Sequence, residues 1–245
     1  MGRPSPVLFE GPDHHVATIT VPGDRWDRSA AAALIGAATG LVEDRGVRVV
    51  VVRADAPRFC TGGAEDLDPA GFDPDPAAAL ARLRPPVISV IRGRCASVGF
   101  EVVLATDIRV CGPDATFVLD DVATGRLPCW GGTQRLARAV RPAEATAMVL
   151  LGTELDAPRA LSLGLVHAIA DDPDAEAARL AGELGQRGPL ALELAKEAVH
   201  RGAELPLRDG LRLEGDLNHQ LAATDDRAEG LAAFFDKRPP DFAGR

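Results

Sequence analysis

The sequence predicts an α/β fold with a parallel sheet, followed by a helical C-terminal region, and three observations lead there. Val47-Arg-Val-Val-Val-Val52 and Pro86-Val-Ile-Ser-Val-Ile91 are short, β-branched and nearly continuous in apolar residues, as strands buried on both faces are. Between such runs lie stretches with apolar residues at helical spacing. Ser29 to Asp44, with Leu34, Ile35, Ala38, Leu41 and Val42 recurring, is one of these. Beyond about Pro142 the pattern becomes almost wholly helical. Strands that alternate with helices need crossover connections, and crossovers give parallel pairing.

In chain order, residues 7–21 alternate and break at Gly11-Pro12-Asp13, which predicts a hairpin of two short strands. After the strand ending at Ile91, Gly99 to Ala105 reads as a short helix, and Ile108 to Cys111 and Ala115 to Leu119 as strands. Gly132 to Val140 reads as a helix, Leu165 to Ile169 as a strand, and 142–151, 173–186, 189–201, 206–222 and 226–237 as helices. The Pro/Asp-rich stretch 68–76 is expected to be a mobile loop. Gly188-Pro189 marks a boundary between an α/β core, residues 1–187, and a helical region, residues 188–245. That region is too thin for a core of its own, so it should pack on the body or on another subunit. No internal repeat is visible.

The 245 residues are 46% apolar and 26% charged, which suits one large globular domain or a domain with a helical extension. A formal charge of −9 argues against a nucleic-acid or anionic-membrane partner. No apolar run reaches the ~18 residues of a membrane span. Met1 to Phe9 lacks the apolar stretch of a secretory signal. Cys60, Cys95, Cys111 and Cys129 lie far apart, which reads as reduced thiols and a cytoplasmic location. The histidines show no zinc-ligand spacing beside them, so no metal is expected.

Three segments carry candidate chemistry, and each is a turn leading into a helix. Arg58-Phe-Cys-Thr-Gly-Gly-Ala-Glu-Asp-Leu67 follows a buried strand, and its glycine pair lets a ligand approach the backbone closely. Taken alone it fits an ordinary strand-to-helix turn equally well. Arg92-Gly-Arg-Cys-Ala-Ser-Val-Gly-Phe-Glu101 opens a helix whose free N–H groups suit a negative oxygen. Glu101 in that apolar stretch is either a surface residue or an acid with work to do. The third segment, Ala115 to Leu136, holds Asp120 and Asp121 and then a Gly-Gly helix start.

Together the three segments resemble the crotonase (enoyl-CoA hydratase/isomerase) superfamily. Phe59 to Gly63 matches the first family motif, with Ala64 where an Asp is expected; Gly99, Glu101 and Asp107-Ile108-Arg109 match the second. Phe117, Asp121, Gly125, Pro128 and Gly131 to Leu136 fall in register with the third. The likeness continues through Ala160 to Val166 and the ending Glu229 to Pro240. It implies a spiral of ββα turns with a C-terminal helical trimerisation region, assembled as a trimer or dimer of trimers. It also implies an acyl-CoA thioester substrate, with no separate cofactor because coenzyme A belongs to the substrate. The family's oxyanion-hole donors map to the backbone N–H groups of Gly63 and Val98, where enolate charge develops. Glu101 then activates water and Asp121 transfers a proton. Thr61, Ala64, Cys129 and Trp130 are carried over as substrate-binding, the last two at the acyl end. Lys237 is expected at the CoA nucleotide, reaching in from an adjacent subunit. On a chain of charge −9, a CoA site must rely on local cations and backbone amides.

The chain departs from the family pattern at several places. Asp121 is one methylene shorter than the usual glutamate, Ser97-Val98 replaces a glycine pair, and Cys129-Trp130 replaces small residues. Arg25 and Trp26 stand where the family often has Asn-Ala. The absence of Tyr argues against the naphthoate-synthase-like cyclases, and the lack of a His near the first motif against the dehalogenases. Two acids imply hydration of an α,β-unsaturated thioester. The alternatives are an isomerase, or a biosynthetic lyase or hydrolase acting on acyl-CoA or acyl-carrier protein. A catalytically silent or RNA-binding use of the same fold is a further alternative. A serine-hydrolase reading through Ser97 fails, because Cys95 and Gly99 flank it instead of two glycines.

Overall fold

The computed structural model describes residues 8–13 and 15–245. The parts of the N-terminal reading that rest on residues 1–7 and 14 lie outside them. The chain runs β1 (Leu8–Asp13), β2 (Val16–Val21), β3 (Arg25–Trp26), α1 (Arg28–Val42), β4 (Val49–Ala54), β5 (Gly62–Gly63) and α2 (Pro76–Ala81). It continues through β6 (Val87–Ile91), β7 (Arg94–Ala96), α3 (Ser97–Leu104), β8 (Ile108–Cys111), β9 (Thr116–Val118), α4 (Gly132–Ala139) and α5 (Pro142–Leu151). The remainder is β10 (Leu155–Asp156), α6 (Ala157–Ser162), β11 (Ala168–Ile169), α7 (Pro173–Gly185), α8 (Pro189–Gly202), α9 (Leu207–Ala222) and α10 (Asp225–Asp236).

A six-stranded sheet has the order β1-β2-β4-β6-β8-β11. Every pair in it is parallel except β1 with β2. A smaller sheet, β10-β9-β7, and the parallel pair β3/β5 stand beside it. Successive strand residues point to opposite faces, so β4 divides its valines. Val50 and Val52 join the main core with Trp26, Phe59, Phe100, Phe117 and Trp130. Val49 and Val51 pack with Ile88, Val90 and Val110 against Ala177 and Ala181 of α7. The expected α/β class with parallel crossovers is therefore the observed one, and α5 and α7–α10 lie within one residue of their expected bounds.

Three expectations are corrected. The hairpin does not break at Gly11-Pro12-Asp13: β1 runs to Asp13, with a register shift between Glu10 and Asp13. An edge strand tolerates a proline, because a missing N–H there costs no interior ladder bond. The turn comes afterwards, at His15, whose φ is +69°. The stretch 68–76 is not a plain loop. Asp68 caps a 3-10 turn at Pro69–Gly71, and Asp75 caps α2 by accepting the Ala78 N–H at 2.8 Å. Asp-Pro is itself a helix-start signal. Finally, β11 is only Ala168–Ile169; Leu165 and Val166 are buried outside the ladder, and the Leu165 carbonyl accepts from Arg109 Nε at 2.6 Å.

Charged groups tie the helical region to the core. Arg48 donates to the carbonyls of Gly185 and Phe242, and Arg84 pairs with Glu193 at 3.1 Å. Asp107, before β8, is the central tie. Its Oδ2 accepts from the Val87 N–H and from Lys196 Nζ, and its Oδ1 meets His200 Nε2, each at 2.7 Å. Burial alone pushes this carboxyl up, but the bonds from His200, Lys196 and Val87 outweigh it and hold the group below its ordinary value. Removing one partner of a buried pair leaves the others uncompensated, so Asp107→Ala should cost about 3 kcal/mol in urea unfolding. A carboxyl depressed by folding stabilises above its unfolded value. The difference between wild type and Asp107→Asn should therefore be complete above about pH 4 and shrink as pH falls further.

Candidate active site

The site forms where α3 begins. Gly99 in its first turn lies so close to the preceding segment that a Cβ there would fall 2.1 Å from Cys60 Cβ. That approach locks the start of α3 onto residues 60–63. Ala96 N–H donates to the Cys60 carbonyl at 2.9 Å, and Cys60 N–H to the Arg94 carbonyl at 3.0 Å. The first N–H groups of a helix have no intrahelical acceptor. For Val98 the carbonyl four residues back belongs to Arg94, and it is already taken by Phe59 and Cys60. On the facing segment, Ala64 N–H bonds the Trp26 carbonyl at 2.8 Å. Neighbouring amides of an extended strand point to opposite sides, so the Gly63 N–H is directed away from β3.

Beside Val98 is a cavity of about 230 Å³, lined by Asp68, Pro69, Ala70, Val98, Glu101, Asp121, Arg126, Leu127 and Cys129. A larger groove of about 1040 Å³ runs between the main sheet and α7. Its charged groups are largely matched, Asp174 meeting Arg53 and Arg92.

Glu101 is 1% exposed. Its Oε1 accepts from the backbone N–H of Gly132 at 2.7 Å and of Trp130 at 2.8 Å, both at the start of α4. Gly131 takes a φ of +92°, and a Cβ on Gly132 would stand 2.9 Å from the glutamate, so this start needs both glycines. Burial pushes the Glu101 carboxyl up to about 7. The Gly132 bond resists that rise, and the Asp121 charge adds to it.

Asp121 heads the 3-10 turn Asp121–Thr124 and is 5% exposed. Its Oδ1 accepts from Ser97 Oγ at 2.6 Å, and its buried Oδ2 has no hydrogen-bond partner among the described residues. Burial raises this carboxyl too, against the Ser97 bond and the Arg126 charge. Asp120 turns the other way, to Arg94 at 3.1 Å.

The remaining expected residues are scattered. Thr61 Oγ1 bonds Asp24 Oδ1 at 2.9 Å, and Ala64 is half-buried beside it. Lys237 is exposed at the end of α10, away from the cavity wall. Cys129 lines the cavity, but Trp130 does not. The indole is fully buried, 6.5 Å from the Trp26 ring and 6.1 Å from Phe72, and its Nε1–H donates to the Pro69 carbonyl at 2.7 Å. A buried indole needs an acceptor, and this one finds it behind the wall instead of on it. Sequence reasoning missed Ser97 as a partner of Asp121, and missed the two α4 amides on Glu101. The Gly-Gly pair before α4 was the available signal for the latter.

Two buried carboxylates face one cavity beside the amides of a helix start, an arrangement suited to meeting developing negative charge and moving protons next to it. The sequence matches the enoyl-CoA hydratase/isomerase family over residues 29–245, and the chain belongs to that family. Over 215 residues it is 38% identical to the 2,3-dehydroadipyl-CoA hydratase of Escherichia coli K12, covering 82% of this chain and 83% of the relative. It is 33% identical to the mitochondrial methylglutaconyl-CoA hydratase of Rattus norvegicus, covering 85% of this chain and 71% of that one. The crystal structure of an enoyl-CoA hydratase from Bacillus anthracis superposes with a TM-score of 0.88 at 28% identity, covering 98% of this chain and all of the other. The fold is thus the crotonase fold.

A buried acid raised on folding destabilises wherever it must ionise. Between its unfolded value near 4.5 and its folded value of about 7, Glu101 should lower stability as pH rises. At ~1.4 kcal/mol per pH unit the effect approaches about 3 kcal/mol. Glu101→Gln keeps an acceptor oxygen for the α4 amides. It should therefore melt at a higher temperature than wild type at pH 8 and at nearly the same temperature at pH 4, by differential scanning calorimetry.

Proposed function

We infer that Glu101 and Asp121 together manage the water that this enoyl-CoA hydratase-type enzyme adds to an α,β-unsaturated thioester. One observation carries the reading. Both acids are buried at one small cavity, and each has one oxygen held by the protein and one left over. The thioester oxygen accepts from the N–H groups of Val98 and Gly63, whose fixed dipoles stabilise the enolate without having to reorient. Glu101, at about 7, is matched to removing a proton from water near neutral pH. The hydroxyl bonds to Cβ, the double-bond electrons move onto the thioester as an enolate, and Asp121 delivers a proton to Cα. Glu101 is left holding the proton taken from water and Asp121 is left without the one now on Cα, and exchange with solvent resets the pair.

A cavity of about 230 Å³ favours a short acyl group. Leu207, Leu211, Phe234 and Phe235 are exposed on α9 and α10. They support assembly as a trimer or dimer of trimers, with Lys237 of one copy meeting the CoA phosphates of the next. The unpaired thiols of Cys60, Cys95, Cys111 and Cys129 are consistent with a cytoplasmic setting. No described helix is long and apolar enough to cross a membrane.

Glu101→Gln and Asp121→Asn should each slow crotonyl-CoA hydration by ~10²-fold or more, and the double variant little further, because the acids act as a unit. If Asp121→Asn is mild and β,γ-enoyl-CoA is isomerised instead, Glu101 works alone and the chemistry is proton transfer between carbons. For the assembly, light scattering should give a multiple of three copies. A monomer with full activity would sink that part of the reading.

A further inference from the structure

Ser97 is buried and holds a φ of +49°, in the region where a Cβ crowds the backbone and glycine is at ease. Its hydroxyl donates to Asp121 Oδ1 at 2.6 Å. Ser97 lies behind the cavity wall that Val98, Glu101 and Asp121 help to form. It stands four residues before Glu101 on α3, and that spacing puts the two side chains on one face of the helix. Asp121 belongs to a different element, the 3-10 turn Asp121–Thr124, with Asp120 just before it and Arg126, whose N–H bonds the Asp121 carbonyl, just after it. The Arg126 charge acts on Asp121 directly. Among the described residues, the Ser97 hydroxyl makes the side-chain hydrogen bond that ties this carboxylate to the helix carrying Glu101.

We propose that Ser97 is a positioning residue: it clamps Oδ1 of Asp121 to α3, so that Oδ2 is presented to the reacting carbon in register with Glu101. In this reading a strained serine and a short aspartate do jointly what an unstrained glycine and a longer glutamate would do. At 2.6 Å no room is left between Ser97 Oγ and Asp121 Oδ1 for another methylene, so the two positions should be exchangeable only together. The proposal rests on the two-acid hydratase reading.

The test uses the full-length protein with crotonyl-CoA, and reads kcat, KM, the pH profile and the melting temperature. Ser97→Ala should lower kcat about 10- to 100-fold with KM nearly unchanged, as loss of a transition-state contact does. It should also move to higher pH whichever limb of the kcat profile Asp121→Asn abolishes. The groups facing Asp121 are Ser97 and Glu101 from α3, Asp120 and Arg126 from either side of its own turn, and the thiols of Cys60 and Cys129. Of these only the Ser97 hydroxyl is altered. Ser97→Gly should lower kcat as well, yet raise the melting temperature by relieving the strain, so activity and stability should part in opposite directions. Asp121→Glu alone should be impaired, and Ser97→Gly with Asp121→Glu should return to within about threefold of wild type. Ser97→Ala and Ser97→Gly variants with kcat within about twofold of wild type, beside an Asp121→Asn variant slowed by ~10²-fold, would overturn the Ser97 role alone. An active Asp121→Asn variant would overturn the two-acid reading beneath it.

Discussion

The site depends first on two backbone amides, those of Trp130 and Gly132, closing on one oxygen of Glu101. A carboxylate only 1% exposed is costly to keep, and charge-assisted bonds from a helix start offset part of that cost, burial still holding the group at about 7. The requirement propagates outward. The start of α4 must come within contact of α3, so Gly132 can carry no Cβ and Gly131 must bend through a left-handed φ. On its other side, α3 must press on Cys60, which fixes Gly99. The same contacts that seat the acid also leave the first amides of α3 open. Acid and amides are therefore consequences of one packing arrangement.

Most of the fold was legible, because it is written in local periodicity. The valine run of β4 and the spacing of Leu34, Ala38 and Leu41 in α1 each point to one structure. The elements that escaped are short. Arg25–Trp26 pairs with Gly62–Gly63 over two residues, too few to carry a period, and exists because distant segments meet. Leu165 and Val166 looked like strand because they are apolar, but they serve the core without joining a ladder. That Glu101 and Asp121 meet at one cavity was legible from their places in ordered motifs. The partners of those acids were not, since which amide or hydroxyl reaches a carboxylate depends on how separate turns are stacked. Trp130 shows this most clearly. It was expected on the cavity wall, whereas its backbone N–H bonds Glu101 and its indole lies in the core.

The helical region is joined to the body by ionic and carbonyl ties more than by apolar burial. Of the residues in α9 only Leu217 is buried, while Asp107, Arg48 and Arg84 each bind a group beyond residue 184. Such ties are directional and hold the helices at defined angles. They leave Leu207, Leu211, Phe234 and Phe235 to face outward. A region built this way does not form a second core.

The bond from the Trp130 indole to the Pro69 carbonyl has a consequence for how the substrate range of this enzyme can evolve. Pro69, with Asp68 and Ala70, forms one side of the cavity, and the indole behind it packs against Trp26 and Phe72. Enlarging this cavity by shrinking the tryptophan would loosen the wall, empty part of the core and disturb the segment whose amide seats Glu101. Three functions are thus borne by one side chain, and selection cannot adjust one without the others. Cys129, exposed and on the wall, carries no such linkage. Drift in acyl preference among descendants of this chain should therefore be recorded at residue 129, while residue 130 stays fixed.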